Sequence, residues 1–360
     1  MLVKFLREER NKGFFSDAKK EVDDYFKLNA IPVYGNNIVY IKGIICCLFL
    51  FSPIVLVIFG AILQLWLLFF MYACMGLGIV GVGCCVHHDA NHDCLHKNNK
   101  INRIVSIMSN LFGVFHKTWR IQHNFLHHNY TNIESVDEDI DVGFLMRFSP
   151  NSRHYKFHRY QHIYGWILYC FLTLQMVTYK DFKLIATFNK KDLLKIGKLK
   201  KTTAYAELIL YKILYVSIFI FLPTYCTDFS LLNILSAFFL MHMISGLCLA
   251  LIFQLTHIMP ETQFPKISNG SVSQTWGEHQ LLNACNHSNN NVLLFHVTGG
   301  LNYAIEHHLF PGISHIHYPQ IAPIIERVAR KHNLQYNKQQ NFFFALREHY
   351  FFLKKLGNNP

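Results

Sequence analysis

Trp119-Arg-Ile-Gln-His-Asn-Phe-Leu-His-His-Asn-Tyr-Thr-Asn-Ile-Glu-Ser-Val-Asp-Glu-Asp-Ile-Asp141 sets His123, His127 and His128 within one short run and follows them with carboxylates. On a helix, residues four apart share a face, so His123 and His127 point together while His128 projects about 100° away, toward a second ion. Taken alone, one such pair is as well explained by a polar surface helix. Repetition decides between the readings. His87-His-Asp-Ala-Asn-His-Asp-Cys-Leu-His96 spaces His88, His92 and His96 four apart, and Asn302-Tyr-Ala-Ile-Glu-His-His308 repeats the adjacent pair as His307 and His308. Imidazole is a borderline ligand that suits iron, zinc, copper or nickel.

Between these clusters the chain is apolar. Of 360 residues 51% are hydrophobic and 16% charged, and the 22 histidines equal the Asp and Glu total, so an ordinary water-soluble core is a poor description. At roughly 20 residues per crossing, the apolar runs give membrane helices near 40–60, 64–86, 206–224 and 231–256, in two hairpins. The polar region 87–203 carries 17 Lys and Arg against nine Asp and Glu, which places it in the cytoplasm, and the two termini with it. All three histidine clusters then face one side of the membrane. The net charge of +12 lies in loops beside apolar runs, so lipid headgroups rather than nucleic acid are the expected counter-ions. The ten cysteines form no Cys-Xaa2-Cys pair and fall mostly in apolar segments, as small buried hydrophobes do in a reducing compartment.

Residues 1–37 read as a cytosolic segment without a secretory signal, holding a helix over Asp17–Leu28. Tyr164–Val177 is too short for a crossing and fits an interfacial helix. The tail 341–360 is expected to fray toward its end. His154, His158 and His162 also recur every four residues, but Arg153, Lys156 and Arg159 between them oppose metal binding, so they suit headgroup or electron-donor contact. His315 and His317 read as outer or surface groups, and His242, within a crossing, as hydrogen-bonded in the bundle.

The three clusters resemble the histidine boxes of the membrane fatty acid desaturases. The matching residues are His88-Asp-Ala-Asn-His92, His123-Asn-Phe-Leu-His-His128 with Asp137-Glu-Asp139, and Gly299-Gly-Leu-Asn-Tyr-Ala-Ile-Glu-His-His-Leu-Phe-Pro311. The third is closest to the bacterial acyl-lipid and front-end type, and the likeness covers about Ile38 to Val328, within an expected desaturase domain of 38–340. It implies an all-α integral membrane protein: four transmembrane helices in two hairpins, interfacial helices, and a cytosolic helical cap holding a di-iron site. The implied ligands are His88, His92, His123, His127, His128, His307 and His308, with His257 at the end of the fourth crossing. His96 and Asn286 are further candidates. Asp89, Asn124, Asp137, Asp139, Asn302 and Glu306 are positioned to orient ligand rings from outside. Two departures stand out. Ala304 occupies the place of a Gln or His and offers no ligand atom, and Ser135 replaces a usual glycine.

By this resemblance two iron ions and O2, with electrons from an external donor, introduce a double bond into the acyl chain of a fatty acid or lipid. A sphingolipid desaturase and a membrane di-iron hydroxylase or ketolase are the alternatives. No His-Pro-Gly-Gly haem motif occurs, so the donor is a separate ferredoxin, rubredoxin or cytochrome b5 type carrier. The substrate is an acyl lipid, acyl-CoA or acyl-ACP.

Overall fold

Contacts in the computed structural model, which describes residues 3–8 and 12–358, divide the chain into two compact units. One comprises Asn36–Ile121 and Trp166–Leu251. The other comprises the residues up to Gly35, Gln122–Gly165 and those from Ile252 on.

Among the described residues, four helices are long and apolar enough to cross a membrane: Asn37–Ile58, Leu65–Asn91, Lys201–Cys226 and Leu231–His257. The first starts where the Asn36 side chain accepts from the N–H groups of Ile38 and Val39, satisfying two of the donors a helix start leaves open. Its outer residues stay apolar: Ile41, Ile44 and Leu48 are all more than half exposed, as a lipid-facing surface requires. Gly78 lets the second helix approach the first backbone to backbone, since a Cβ there would lie 2.6 Å from Leu50 N. Leu50, Leu68, Tyr72, Met75, Phe219 and Met241 fill the core between helices.

The membrane-unit interior is cross-linked by a few fully engaged polar groups. His242 meets Tyr215 Oη at 2.9 Å and Thr173 Oγ1 at 3.0 Å, the bundle role its position suggested. Lys212 donates to the carbonyls of Gly113 and Met176 and to Asp181 Oδ2. Asp181 in turn accepts from Phe115 N and Thr118 Oγ1, so the loop leading into the second histidine box is pinned to a membrane helix.

The other unit is built on amphipathic packing. Phe14, Ala18, Val22 and Phe26, at helical spacing on Phe14–Leu28, bury against Ile321, Ile325 and Val328 of Tyr318–Lys331. The solvent edge carries Asp17–Lys331 and Glu21–Arg327 ion pairs, which contribute little at such exposure. Among the described residues, two short parallel sheets, Lys4–Leu6 with Ser271–Thr275 and Asn286–His287 with Lys338–Gln339, stand beside the helices.

Several expectations are revised. The second crossing runs past 86 to Asn91, because a π-helical turn, Gly83–His87, carries it into His88–Asn91. The third begins at Lys201, whose long stem lets its ammonium stay outside the apolar zone. The last segment does not fray over its described length: Phe342–Asn358 is a helix that buries Ala345, His349, Phe352, Leu353 and Leu356. Gly357 packs directly on the His158 carbonyl. Residues 359–360 lie outside the described residues. The 161–175 stretch is helical, as Gln161–Cys170 and Leu172–Gln175.

Candidate metal centre

The geometry of the second box differs from an α-helix. Arg120–His127 is a π-helix, and its wider turn brings residues five apart onto one face. His128 therefore does not project away from His123: their Nε2 atoms are 3.2 Å apart. His127 sits beside this pair, with its ring 5.2 Å from that of His123 and 5.7 Å from that of His128.

Two further segments converge on these rings. His257, the last residue of Leu231–His257, and His307 and His308, on the short helix Ala304–Leu309, are all buried. His127, His257 and His308 each offer a nitrogen within 4.8 Å of the others, and so do His128, His307 and His308. His257 Nε2 and His308 Nε2 are 3.2 Å apart. An imidazole bond of about 2.0–2.1 Å to a first-row divalent ion places neighbouring ligand nitrogens roughly 3–3.4 Å apart, so these pairs have the spacing of ligands around a metal.

Four of these rings are each turned by a different group on the Nδ1 side. Asp137 meets His127 Nδ1 at 3.1 Å, the Asn283 carbonyl meets His257 at 3.2 Å, Gln280 Oε1 meets His308 at 3.0 Å, and Tyr318 Oη meets His307 at 3.1 Å. Such partners fix the tautomer and leave Nε2 to the metal side. Only one of the four is a carboxylate. Burial disfavours a charged His127, but Asp137 and Asp139 outweigh it and raise its pKa to about 9. Asp139 lies 3.5 Å from His127 Nδ1 and 3.7 Å from His123 Nδ1, and Gln122 hydrogen-bonds it.

In the membrane unit, His88 and His92 form a second pair, with ring centroids 4.8 Å apart against the face of Trp119. The helix stops at Asn91 and Asp93 turns left-handed, so His96 leaves the face it would share with His88 and His92. Its Nδ1 accepts from Asn98 N instead. Asp89 caps this turn through its carbonyl, which accepts from Cys94 and Leu95, with its carboxylate 3.9 Å from His88 Nδ1.

A family model described as Fatty acid desaturase matches residues 44–340. The chain belongs to the fatty acid desaturase family. Over 97% of its length it is 31% identical to an sn-1 linoleoyl-lipid 6-desaturase of Arthrospira platensis, covering 94% of that protein. Over 99% it is 31% identical to a protein of the same description from Synechocystis, covering 98% of it. An acyl-lipid (8-3)-desaturase of Physcomitrium patens is 32% identical over 97% of this chain and 73% of its own.

Within this desaturase the remaining candidates divide by what they touch. Asn286 spends its whole carboxamide on protein: Nδ2 donates to Glu306 and Tyr336, and Oδ1 accepts from Ile305 N. Glu306, held by Asn286 and by Tyr336 Oη at 2.7 Å, is fully buried; burial lifts its pKa to about 7 against those hydrogen bonds. Asn302 ties the His287 carbonyl to Thr298, and Asn124 lies half-buried in the π turn. Ala304 is buried in apolar packing with Tyr318 and Ile321 and offers no ligand atom, as the resemblance had it. Ser135 adopts a positive φ of 68°, a conformation that favours glycine. His154 and His158 bond the carbonyls of Gly357 and Phe144 rather than solvent, His317 bonds the Tyr34 carbonyl, and His315 is buried.

The positioning groups Thr131, Asn132, Gln280, Asn283 and Tyr318 escaped sequence reasoning. Asn132 has a left-handed φ of 59° and donates to the His257 carbonyl at 3.0 Å, while its own N–H reaches Asp137. Its place two residues before the acidic run was the one available signal.

Proposed function

We propose that this desaturase introduces a double bond into the acyl chain of a membrane glycerolipid at a two-iron centre, consuming O2. The convergence of His123, His127, His128, His257, His307 and His308, four of which (His127, His257, His307 and His308) carry Nδ1 partners that leave Nε2 free, carries the reading. His88 and His92 complete the proposed ligand set. Iron, when bound, supplies the oxygen-derived oxidising power needed to remove hydrogen from two adjacent methylenes, which no side chain possesses. The protein's own part is to fix the direction of the imidazole rings, through Asp137, Gln280, Tyr318 and the Asn283 carbonyl, and to keep the centre buried.

The lipid-linked substrate is supported by the two sn-1 linoleoyl-lipid 6-desaturases, whose likeness spans nearly the whole chain. Electrons come from a separate carrier of ferredoxin, rubredoxin or cytochrome b5 type. The excess of Lys and Arg in 87–203 favours a cytoplasmic centre and termini. Expression in a host with few unsaturated lipids, with mass spectrometry of intact lipids and of the released chains, tests the reading. A new double bond found first in glycerolipid, and lost in His127→Ala and His308→Ala, is expected. A new hydroxyl group, or product found first on coenzyme A or carrier protein, would overturn it.

A further inference from the structure

The helix Phe342–Asn358 has one face that the fold leaves uncovered. Ala345, His349, Phe352, Leu353 and Leu356 face inward, whereas Phe343, Phe344, Arg347, Phe351, Lys354 and Lys355 face out. Phe343 is 77% exposed and Phe351 48% exposed. Three aromatic rings and three cations form this stripe, with one half-buried carboxylate, Glu348, along its edge. A solvated face would be polar, and a face awaiting a protein core would not alternate its rings with ammonium and guanidinium groups. Arg347 lies 5.6 Å from the ring centroids of both Phe344 and Phe351, so its stem and head lie along the stripe.

The inward side is anchored firmly enough to present that stripe. His349 Nδ1 bonds the Ile258 carbonyl at 2.8 Å, Gln161 Nε2 donates to the Leu353 carbonyl, and His154 bonds the Gly357 carbonyl. The adjoining 144–163 segment repeats the pattern: Phe144, Phe157, Tyr160 and Ile163 are exposed, and Arg159 stands 4.5 Å over the Tyr160 ring. Beside the helix lies a cavity of about 370 Å³ lined in part by Arg147, Lys355, Phe264 and Phe352, with no acidic residue in its wall.

We propose that the outer face of Phe342–Asn358 is a seat for anionic phospholipid. The phenylalanines enter the headgroup and acyl boundary, Arg347, Lys354 and Lys355 meet phosphate, and the cavity beside Lys355 takes one headgroup. Aromatic and apolar burial with basic side chains along one face is the chemistry by which a helix lies in a charged interface. An acidic protein would satisfy the cations but not the rings, and a second copy would bring the same positive charges into opposition.

The test uses the full chain, reconstituted in phosphatidylcholine vesicles with or without phosphatidylglycerol, and a benzoylphenylalanine photo-crosslinker at position 351. Lipid adducts are expected by mass spectrometry, several-fold more abundant with phosphatidylglycerol. The same label at position 338, exposed but outside the stripe, should give few. Combining Arg347→Gln, Lys354→Gln and Lys355→Gln, all at exposed positions, should remove the phosphatidylglycerol increment while leaving the circular dichroism unchanged. Adducts to a second copy or to an added acidic electron carrier, no adducts at all, or an increment that survives loss of the three charges would each overturn the proposal.

Discussion

Asp137→Asn keeps the shape of the side chain and removes its charge, so it isolates what the carboxylate does for His127. Asp137 is 1% exposed; its oxygens lie 3.1 and 3.2 Å from His127 Nδ1 and accept from Asn132 N at 2.9 Å and Asp139 N at 3.0 Å. An amide presents one acceptor oxygen where the carboxylate presents two, so one of these N–H groups is left facing an NH2. Losing a hydrogen bond to a charged group costs about 1.5–3 kcal/mol. That corresponds to about a 10- to 150-fold change in an equilibrium constant. Removing the outer partner of a metal-bound histidine typically lowers metal affinity by about 10- to 100-fold, which agrees. Asp139→Asn should do less, because its side chain is 31% exposed and stands 3.5 Å from the ring; at surface-pair values of about 0.2–1 kcal/mol the loss is roughly 1.4- to fivefold. Ferrous ion titration of the detergent-solubilised, metal-stripped protein measures both, with circular dichroism to verify the fold. Unchanged affinity in Asp137→Asn, or a larger loss in Asp139→Asn, would refute the assignment of Asp137 as the group that orients His127.

Three further outcomes follow from the packing. Lys212→Met leaves Asp181 charged and enclosed by Phe115 N and Thr118, at a cost of about 3–5 kcal/mol, and Asp181→Asn in the same background should recover part of it; unfolding midpoints and yield report both. Gly78→Ala forces a Cβ against Leu50 N and should cost about 1–3 kcal/mol, whereas Gly312→Ala, whose Cβ meets open space, should leave the thermal midpoint unchanged. Burial holds His116, His287 and His349 neutral, with pKa values near 4, and His279 near 3, against 6.5 for free imidazole. With the folded pKa depressed, the unfolded chain takes up protons first. The stability these groups confer is complete above pH 6.5 and is lost as pH falls toward 4. The thermal midpoint should drop over that window, and His349→Gln should make the drop shallower.

Much of the centre was legible because the chemistry forces it. A metal site without cysteine or clustered carboxylate needs many imidazoles, and three groups of them stood between apolar runs long enough to span a bilayer. The same runs disclosed the four crossing helices, since a chain in lipid satisfies its backbone only internally and so announces each crossing by length and composition. His257 was reached through resemblance alone; its spacing says nothing.

Only the tertiary structure decided how the rings are aimed. Spacing four apart was read as α-helical, yet a π turn at Arg120–His127 sets His128 beside His123, and the break after Asn91 removes His96 from the face of His92. Hydropathy does not distinguish a π turn from an α turn, because both bury the same residues and differ by one hydrogen-bond register. Gln280, Asn283 and Tyr318 orient rings far from them in sequence, and such pairings exist only once distant segments are packed. Asn286 shows the converse: its place in the sequence suggested a ligand, and its hydrogen bonds assign it to Glu306 and Tyr336. The sequence by itself determined which elements bear the clustered histidines and which are long and apolar enough to cross a membrane. The register of each turn, the partner of each Nδ1 and the uncovered face of the last helix were settled by long-range packing, which local spacing does not encode.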